Sequence, residues 1–378
     1  MRNIGFVVKN RGFGPIAKAI SIAKMFRNNL NNKLLFYGDE TGISFANKAN
    51  VFHEINTLNL QELIHYLKRI DLFIIVMDQD FALLLYSKGS RFIYVDSLFD
   101  YWKFTEGLEI KLEVVKNDRE ALIKLTSTLT SHDKKLVAHM VAFKSIIQYT
   151  NKAFLRWNKY KLILPHSKFV QPIVPSELNS QPQISNQSIL VNIGGLQPDK
   201  MPIDKMYFPF IESVLLNVSE KLEISNLQIK IRGNNNISKY KFNKIIDFNF
   251  QNQEDFLIES IASKYVISIP GLTTIMEFFK FGIAAVFCFE QHDSHLHNFK
   301  YLQELGYTGT VMVNDHTNSC QNISEAYNQL LQNGNQLDKY CTDIVKALQN
   351  PLLLKQTIDM TINNEIVCIN TILQKEIY

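Results

Sequence analysis

The segment Pro270-Gly271-Leu272-Thr273-Thr274 holds the residues of this chain best suited to grip an anion. It follows the β-rich run "YVISI" and opens a stretch of helical periodicity. That order places it at the carboxyl end of a strand, where the amides of a helix N-terminus face a ligand in open α/β sheets. Gly271 lets a ligand approach the backbone, the threonine hydroxyls donate to phosphate oxygens, and the helix dipole favours negative charge. One turn into the helix stands Glu277, the one carboxylate of an otherwise apolar helix start. A carboxylate at that depth repels a diphosphate but suits two adjacent hydroxyls, such as those of a ribose. The same residues also read as an N-cap, Thr273, and a dipole complement, Glu277; the pattern leaves both readings open.

Other residues invite chemistry with weaker patterns. A general base must lie within reach of the attacking atom, and Asp96, closing "RFIYVD", and Asp78, closing "FIIVMD", sit at strand ends. Capping the following turn is the competing role for Asp96. Arg232, ending "QIKIRG", supplies a cation for a leaving diphosphate, and Arg11 is suited to hold a carboxylate or phosphate bidentately. His292, Asp293, His295 and His297 match no zinc spacing, so neither a metal nor a cofactor is expected.

Such a site needs a scaffold of alternating strands and helices. Strands are expected at "NIGFVV", "KLLFYG", "DLFIIVMD", "RFIYVD" and "YKLILP", and a single long helix over "HDKKLVAHMVAFKSIIQYTNKAFLRW". From Val170 to Gln187 the composition turns to Pro, Ser, Asn and Gln, the mark of a linker. "SILVNIGG" then opens a second series of strands and helices. The expected division is a first Rossmann-like domain over 1–170, a linker at 171–187, a second such domain over 188–350 and a returning helix over 351–378. The fold class is α/β, with two doubly wound domains facing a cleft.

Gly271-Leu272-Thr273-Thr274-Ile275-Met276-Glu277 followed by Gly282 resembles the donor motif of GT-B glycosyltransferases related to the enzyme that forms lipid II. The resemblance implies that the helix start holds a nucleotide diphosphate and that Glu277 binds the ribose. It further implies that Gly194 and Gly195 form the glycine-rich loop of that domain, and that Phe248 lies where the nucleobase is met. Gln291 and His292 would then bond sugar hydroxyls. The set "VDSLFDYW", "LVNIGGL", "PGLTT" and Gln291-x-x-Ser294 is more closely similar to cytosylglucuronate synthases, which transfer glucuronic acid from UDP-glucuronate to cytosine. That likeness favours Asp96 as the base.

In GT-B enzymes the loop after the first strand holds the acceptor, here Arg11, Gly12, Phe13 and Gly14; Pro15 stands where many relatives have a histidine. Gly12 and Gly14 equally fit a tight strand-to-helix turn. Asp78-Gln79-Asp80 has the form of the metal-binding signature of the other glycosyltransferase fold, but lacks that fold's single-domain pattern. The expectation is an inverting, metal-independent UDP-sugar transferase acting on a small-molecule acceptor. A nucleotide-sugar hydrolase, a transferase acting on lipid or polysaccharide and a non-catalytic nucleotide-sugar binder are the alternatives.

Composition sets the limits. With 378 residues, 46% of them hydrophobic, the chain can bury large cores. Its net charge of +4 is spread without a basic block, so no nucleic-acid partner is expected. The four cysteines are scattered without a CxxC pair, and no run reaches the length of a membrane span, which reads as a cytoplasmic protein.

Overall fold

A computed structural model of the chain describes residues 1–8, 13–27, 31–59, 67–175, 178, 185–194, 202–223, 227–233, 240–244, 246–249, 253–318, 320–350, 369 and 371–373. The chain divides into two compact units, one built on Pro15–Val174 with Met1–Asn10 and Thr361–Tyr378, the other on Pro175–Met360 with Arg11–Gly14. Of the expected returning helix, only Ile369 and 371–373 are described; Ile369, Ile372 and Leu373 are buried.

In the first unit, β1 (Arg2–Val8), β2 (Asn32–Gly38), β3 (Glu54–Thr57), β4 (Leu72–Val76), β5 (Phe92–Asp96), β6 (Lys144–Gln148) and β7 (Ser167–Val170) form one parallel sheet in the order β3-β2-β1-β4-β5-β6-β7. Helices α1 (Phe13–Arg27), α2 (Glu40–Ala49), α3 (Gln79–Lys88), α4 (Leu108–Val115), α5 (Arg119–Thr126), α6 (Ser131–Val141) and α7 (Asn151–Tyr160) connect them. Strand β4, Leu-Phe-Ile-Ile-Val, is buried at every position, as a strand covered on both faces requires.

The expected long helix is instead two helices with a strand between them. Helix α6 ends at Val141, β6 runs from Lys144 to Gln148, and α7 starts at Asn151 behind Thr150, whose hydroxyl caps the amide of Ala153. Apolar runs at short range fit both periods; here Ser-Ile-Ile-Gln pairs with β5 and β7 and is buried, and those contacts decide the outcome. The expected strand "YKLILP" is likewise a turn region, with the edge strand displaced to Ser167–Val170.

In the second unit, β8 (Ser185–Gly194), β9 (Gln228–Gly233), β10 (Ile246–Asn249), β11 (Ser263–Ser268) and β12 (Val286–Phe287) form a parallel sheet in the order β10-β9-β8-β11-β12. Helix α8 (Phe208–Lys221) is entered through a π-helical turn at Ile203–Tyr207; α9 (Gln253–Ala262), α10 (Leu272–Phe281), α11 (Asp293–Glu304), α12 (Ile323–Gln332) and α13 (Gly334–Gln349) follow. One face of the sheet buries Ile189, Val191 and Ile193 of β8 against Phe208, Ile211, Val214 and Leu215 of α8. The other buries Val266 and Phe287 against Leu257, Ile275, Phe278, Phe299 and Leu302. The chain leaves β8 toward β9 on one side and later returns to β11 on the other. The ends of β8 and β11 thus flank the point where strand order reverses, the place where doubly wound sheets take ligands.

Candidate functional site

At that reversal point, the carboxyl ends of β8 and β11 are packed tightly. Gly194, closing β8, has φ +60, and a Cβ there would lie 2.4 Å from Ile269 Cδ1, so only glycine fits. Beyond β11 the chain turns through Ile269 and Pro270 into Gly271, which takes the N-cap position of α10 in extended conformation without a side-chain cap. The Gly271 amide donates to Ile269 O at 2.8 Å, and Gly271 O accepts from Ile275 N at 2.9 Å. Asn298 Nδ2 of α11 braces the turn, donating to Pro270 O at 2.7 Å. A Cβ on Gly271 would meet only Thr274 Oγ1, at an ordinary 3.8 Å, so the protein's own packing does not demand glycine here.

Asn192 ties the two strand ends together. Its Oδ1 accepts from Gly194 N at 2.9 Å, and its Nδ2 donates to Ser268 Oγ at 3.0 Å and to Thr274 Oγ1 at 3.5 Å. Thr273 is buried and Thr274 half-buried. Leu272 and Glu277 are buried too, Glu277 at 3% exposure, and its Oε1 accepts from Gln253 Nε2 in the first turn of α9. The carboxylate, one turn inside α10, therefore meets the first turn of α9.

Beyond β12, Phe289 adopts φ +60, a conformation that costs about 1–3 kcal/mol in a non-glycine residue. Glu290 and Gln291 follow, both buried. Gln291 Nε2 donates to Ile193 O at 2.8 Å and to Tyr207 Oη at 2.9 Å, while its Oε1 is buried with no partner among the described residues. His292 is the N-cap residue of α11; its Nδ1 lies 2.8 Å from Ser294 Oγ and its ring 3.9 Å from that of His295. Burial first, and the charge of His292 second, hold His295 well below the usual histidine range, and its Nδ1 accepts from Gln291 N. Among the described residues, no three His, Cys, Asp or Glu side chains group as metal ligands.

Arg232 and Phe248 lie on β9 and β10. Arg232 is 5% exposed, with Nε and Nη2 on the two oxygens of Glu259 at 2.8 and 2.9 Å and Nη1 on Asp247 Oδ2 at 3.0 Å. Its guanidinium links β9 to β10 and α9, because a buried cation is stable only when paired. Phe248 packs its ring on Phe208 at 5.6 Å and Phe242 at 5.2 Å, on the core side of β10.

In the first unit, Asp96 is wholly buried. Its Oδ1 accepts from Leu98 N at 2.7 Å, and its Oδ2 from Trp102 Nε1 at 2.7 Å and His139 Nε2 at 3.0 Å. Burial opposes its ionisation, yet the His139 hydrogen bond and charge, the Lys135 charge and the Leu98 amide hold its carboxyl below the usual range. His139 Nδ1 continues the chain to Ser145 Oγ at 2.7 Å, and Ser167 Oγ donates to Ser145 at 2.9 Å. This carboxylate anchors the turn after β5 and joins it to α6 and β6. Asp78 caps α3, accepting from Phe81 N at 3.0 Å.

Of the expected acceptor loop, Arg11 and Gly12 lie outside the described residues, as does the expected donor residue Gly195; Phe13 and Gly14 begin α1. The residues not singled out from sequence were Asn192, Ser268 and Gln253. Asn192 carried a readable signal, a polar residue inside the buried run "ILVNIG".

No family model matches the chain, and no curated protein matches it. Solved structures do. The UGT2 of Phytolacca americana, complexed with UDP-2-fluoro-glucose and pterostilbene, is 12% identical, covers 100% of this chain and 99% of its own, and has a TM-score of 0.53. The spinosyn forosaminyltransferase SpnP is 10% identical over 93% of this chain and 95% of its own, with a TM-score of 0.49. The glycosyltransferase of kitacinnamycin is 10% identical over 94% and 99%, with a TM-score of 0.48. Two doubly wound parallel sheets in one chain, matched end to end by the first of these, give this protein the GT-B glycosyltransferase fold.

Proposed function

We propose that the chain is a UDP-sugar-dependent glycosyltransferase whose second unit binds the donor at the ends of β8 and β11. The observation that carries this reading is the pairing of a helix start without a side-chain cap at Gly271-Leu272-Thr273-Thr274 with the buried Glu277 one turn deeper. The first offers oriented amides and hydroxyls to a diphosphate; the second offers a carboxylate to two ribose hydroxyls. The unpartnered Gln291 Oε1 supports a sugar hydroxyl as its donor, since buried acceptors are seldom left unpaired. The UGT2 of Phytolacca americana, complexed with UDP-2-fluoro-glucose and pterostilbene, has the same fold and supports the same class of reaction.

In this proposal the diphosphate leaving group is stabilised by the helix start and Thr274, with Arg232 kept as a brace of β9 and β10. Glucuronic acid as the sugar and cytosine as the acceptor rest on the likeness to cytosylglucuronate synthases, with Arg11, Gly12, Phe13 and Gly14 as the acceptor loop. His292 remains a proposed sugar contact. A second reading, a nucleotide-sugar binder without turnover, is favoured by the sequestration of Asp96, which leaves the preferred base no access to an acceptor.

Calorimetric titration of the full chain with UDP, GDP and ADP tests the donor site, and mass spectrometry with UDP-glucuronate and cytosine tests turnover. UDP is expected to bind in preference to the purine nucleotides. Glu277→Ala is expected to weaken UDP by roughly tenfold or more, the cost of losing hydrogen bonds to a charged group. Equal binding of all three nucleotides, or an unaffected Glu277→Ala, defeats the donor assignment. UDP binding without any product from donor and acceptor favours the second reading.

A further inference from the structure

We infer that Asn192 is the positioning residue of the diphosphate subsite, acting through Thr274 by fixing which way that hydroxyl donates. The inference rests on the donor site proposed above. Asn192 is 7% exposed and sits where the two strand ends meet. Its amide orientation follows from the backbone: the Gly194 N–H donates to one end of the side chain, so that end is the oxygen. The nitrogen therefore faces Ser268 and Thr274.

Ser268 Oγ accepts this bond and sends its own proton to Ile269 O at 2.8 Å. Thr274 Oγ1 receives the other N–H and, having one proton, must direct it elsewhere. In a helix the usual outlet is the carbonyl three or four residues back. Among the described residues the Thr274 hydroxyl donates to neither carbonyl; Pro270 O accepts from Asn298 Nδ2 and Gly271 O from Ile275 N. The Thr274 hydroxyl is thus set as a donor toward the helix N-terminus, where a diphosphate oxygen would lie. An asparagine at 192 makes Thr274 a donor to the ligand; an aspartate of the same shape would reverse it, taking the hydroxyl proton for itself and adding a negative charge beside the anion.

The experiment is calorimetric titration of the full chain with UDP and with uridine, which lacks the phosphates. Wild type is expected to bind UDP more tightly than uridine. Asn192→Asp is expected to lose roughly tenfold or more in UDP affinity while uridine affinity stays unchanged. A purely structural role would weaken both ligands together. Thermal melts check folding, and should Asn192→Asp not fold, Asn192→Ala and Thr274→Val take its place in a double-mutant cycle. Each alone is expected to weaken UDP and the pair no more than Thr274→Val, because both remove one oriented donor. UDP binding by wild type with an unchanged Asn192→Asp, with equal losses for UDP and uridine, or with additive effects in the cycle overturns the inference. Failure of wild type to bind UDP overturns the donor site and this inference with it.

Discussion

At the scale of single residues, Glu290 shows how burial next to the candidate site sets a pH response. Burial is the main cause that lifts its carboxyl from 4.5 to about 7, opposed by hydrogen bonds that include the Val313 amide at 2.9 Å. Its second oxygen is buried with no partner among the described residues. Because the folded value is raised, the folded chain holds the proton more tightly than the unfolded one. The resulting stabilisation is complete below about pH 4.5 and is lost as the pH rises to about 7. The shift corresponds to about 3 kcal/mol. Urea unfolding at pH 5 and pH 8 is expected to show wild type losing about 2–3 kcal/mol more than Glu290→Gln across that interval. Parallel losses in the two proteins would show that this carboxyl does not titrate there. Asp96 is the contrasting case: burial raises it too, but the His139 hydrogen bond and charge, the Lys135 charge and the Leu98 amide prevail and hold its carboxyl below the usual range.

At the scale of elements, two glycines with the same backbone sign separate conformational strain from packing. Gly282 ends α10 with φ +64 and has open space where a Cβ would go; Gly194 ends β8 with φ +60 and faces Ile269. Replacing Gly282 by alanine costs only the left-handed conformation, about 1 kcal/mol. Gly194→Ala adds a contact of 2.4 Å to the apolar end of Ile269, so a further 1–3 kcal/mol is expected from overpacking, roughly. Urea denaturation of the two variants measures the difference. Equal costs would mean that β8 and β11 separate easily, and with them the phosphate-binding geometry assigned to their ends.

At the scale of the whole molecule, each unit has its own sheet and its own core, so the two are expected to melt as separable transitions in calorimetry. UDP at about 100 times its Kd would stabilise the unit it binds by about 2.7 kcal/mol, which for a unit of this size is roughly 5–11 °C. Only one transition should move, and Glu277→Ala should abolish the movement. A shift of both transitions by the same amount would place UDP outside the second unit alone, or show the two units unfolding together.

The sequence by itself determined the strand-helix alternation, because fully buried parallel strands need continuous apolar runs such as "FIIV" and "ILVNI" that no surface element tolerates. It also determined the glycine-threonine helix start and the carboxylate one turn inside it, since both are local patterns fixed by three-to-four-residue spacing. Where short apolar runs fit two periods, as in "KSIIQ", only pairing with β5 and β7 made a strand. Tertiary structure alone decided the partners of charged side chains. Arg232 meets Glu259 27 positions away and Asp96 meets His139 43 positions away, and no local pattern encodes a contact at that separation. Asn192 stands between the two cases. Its polarity within a buried strand announces a hydrogen-bonded role, while the choice of Ser268 and Thr274 as partners had to wait for β8 and β11 to lie side by side.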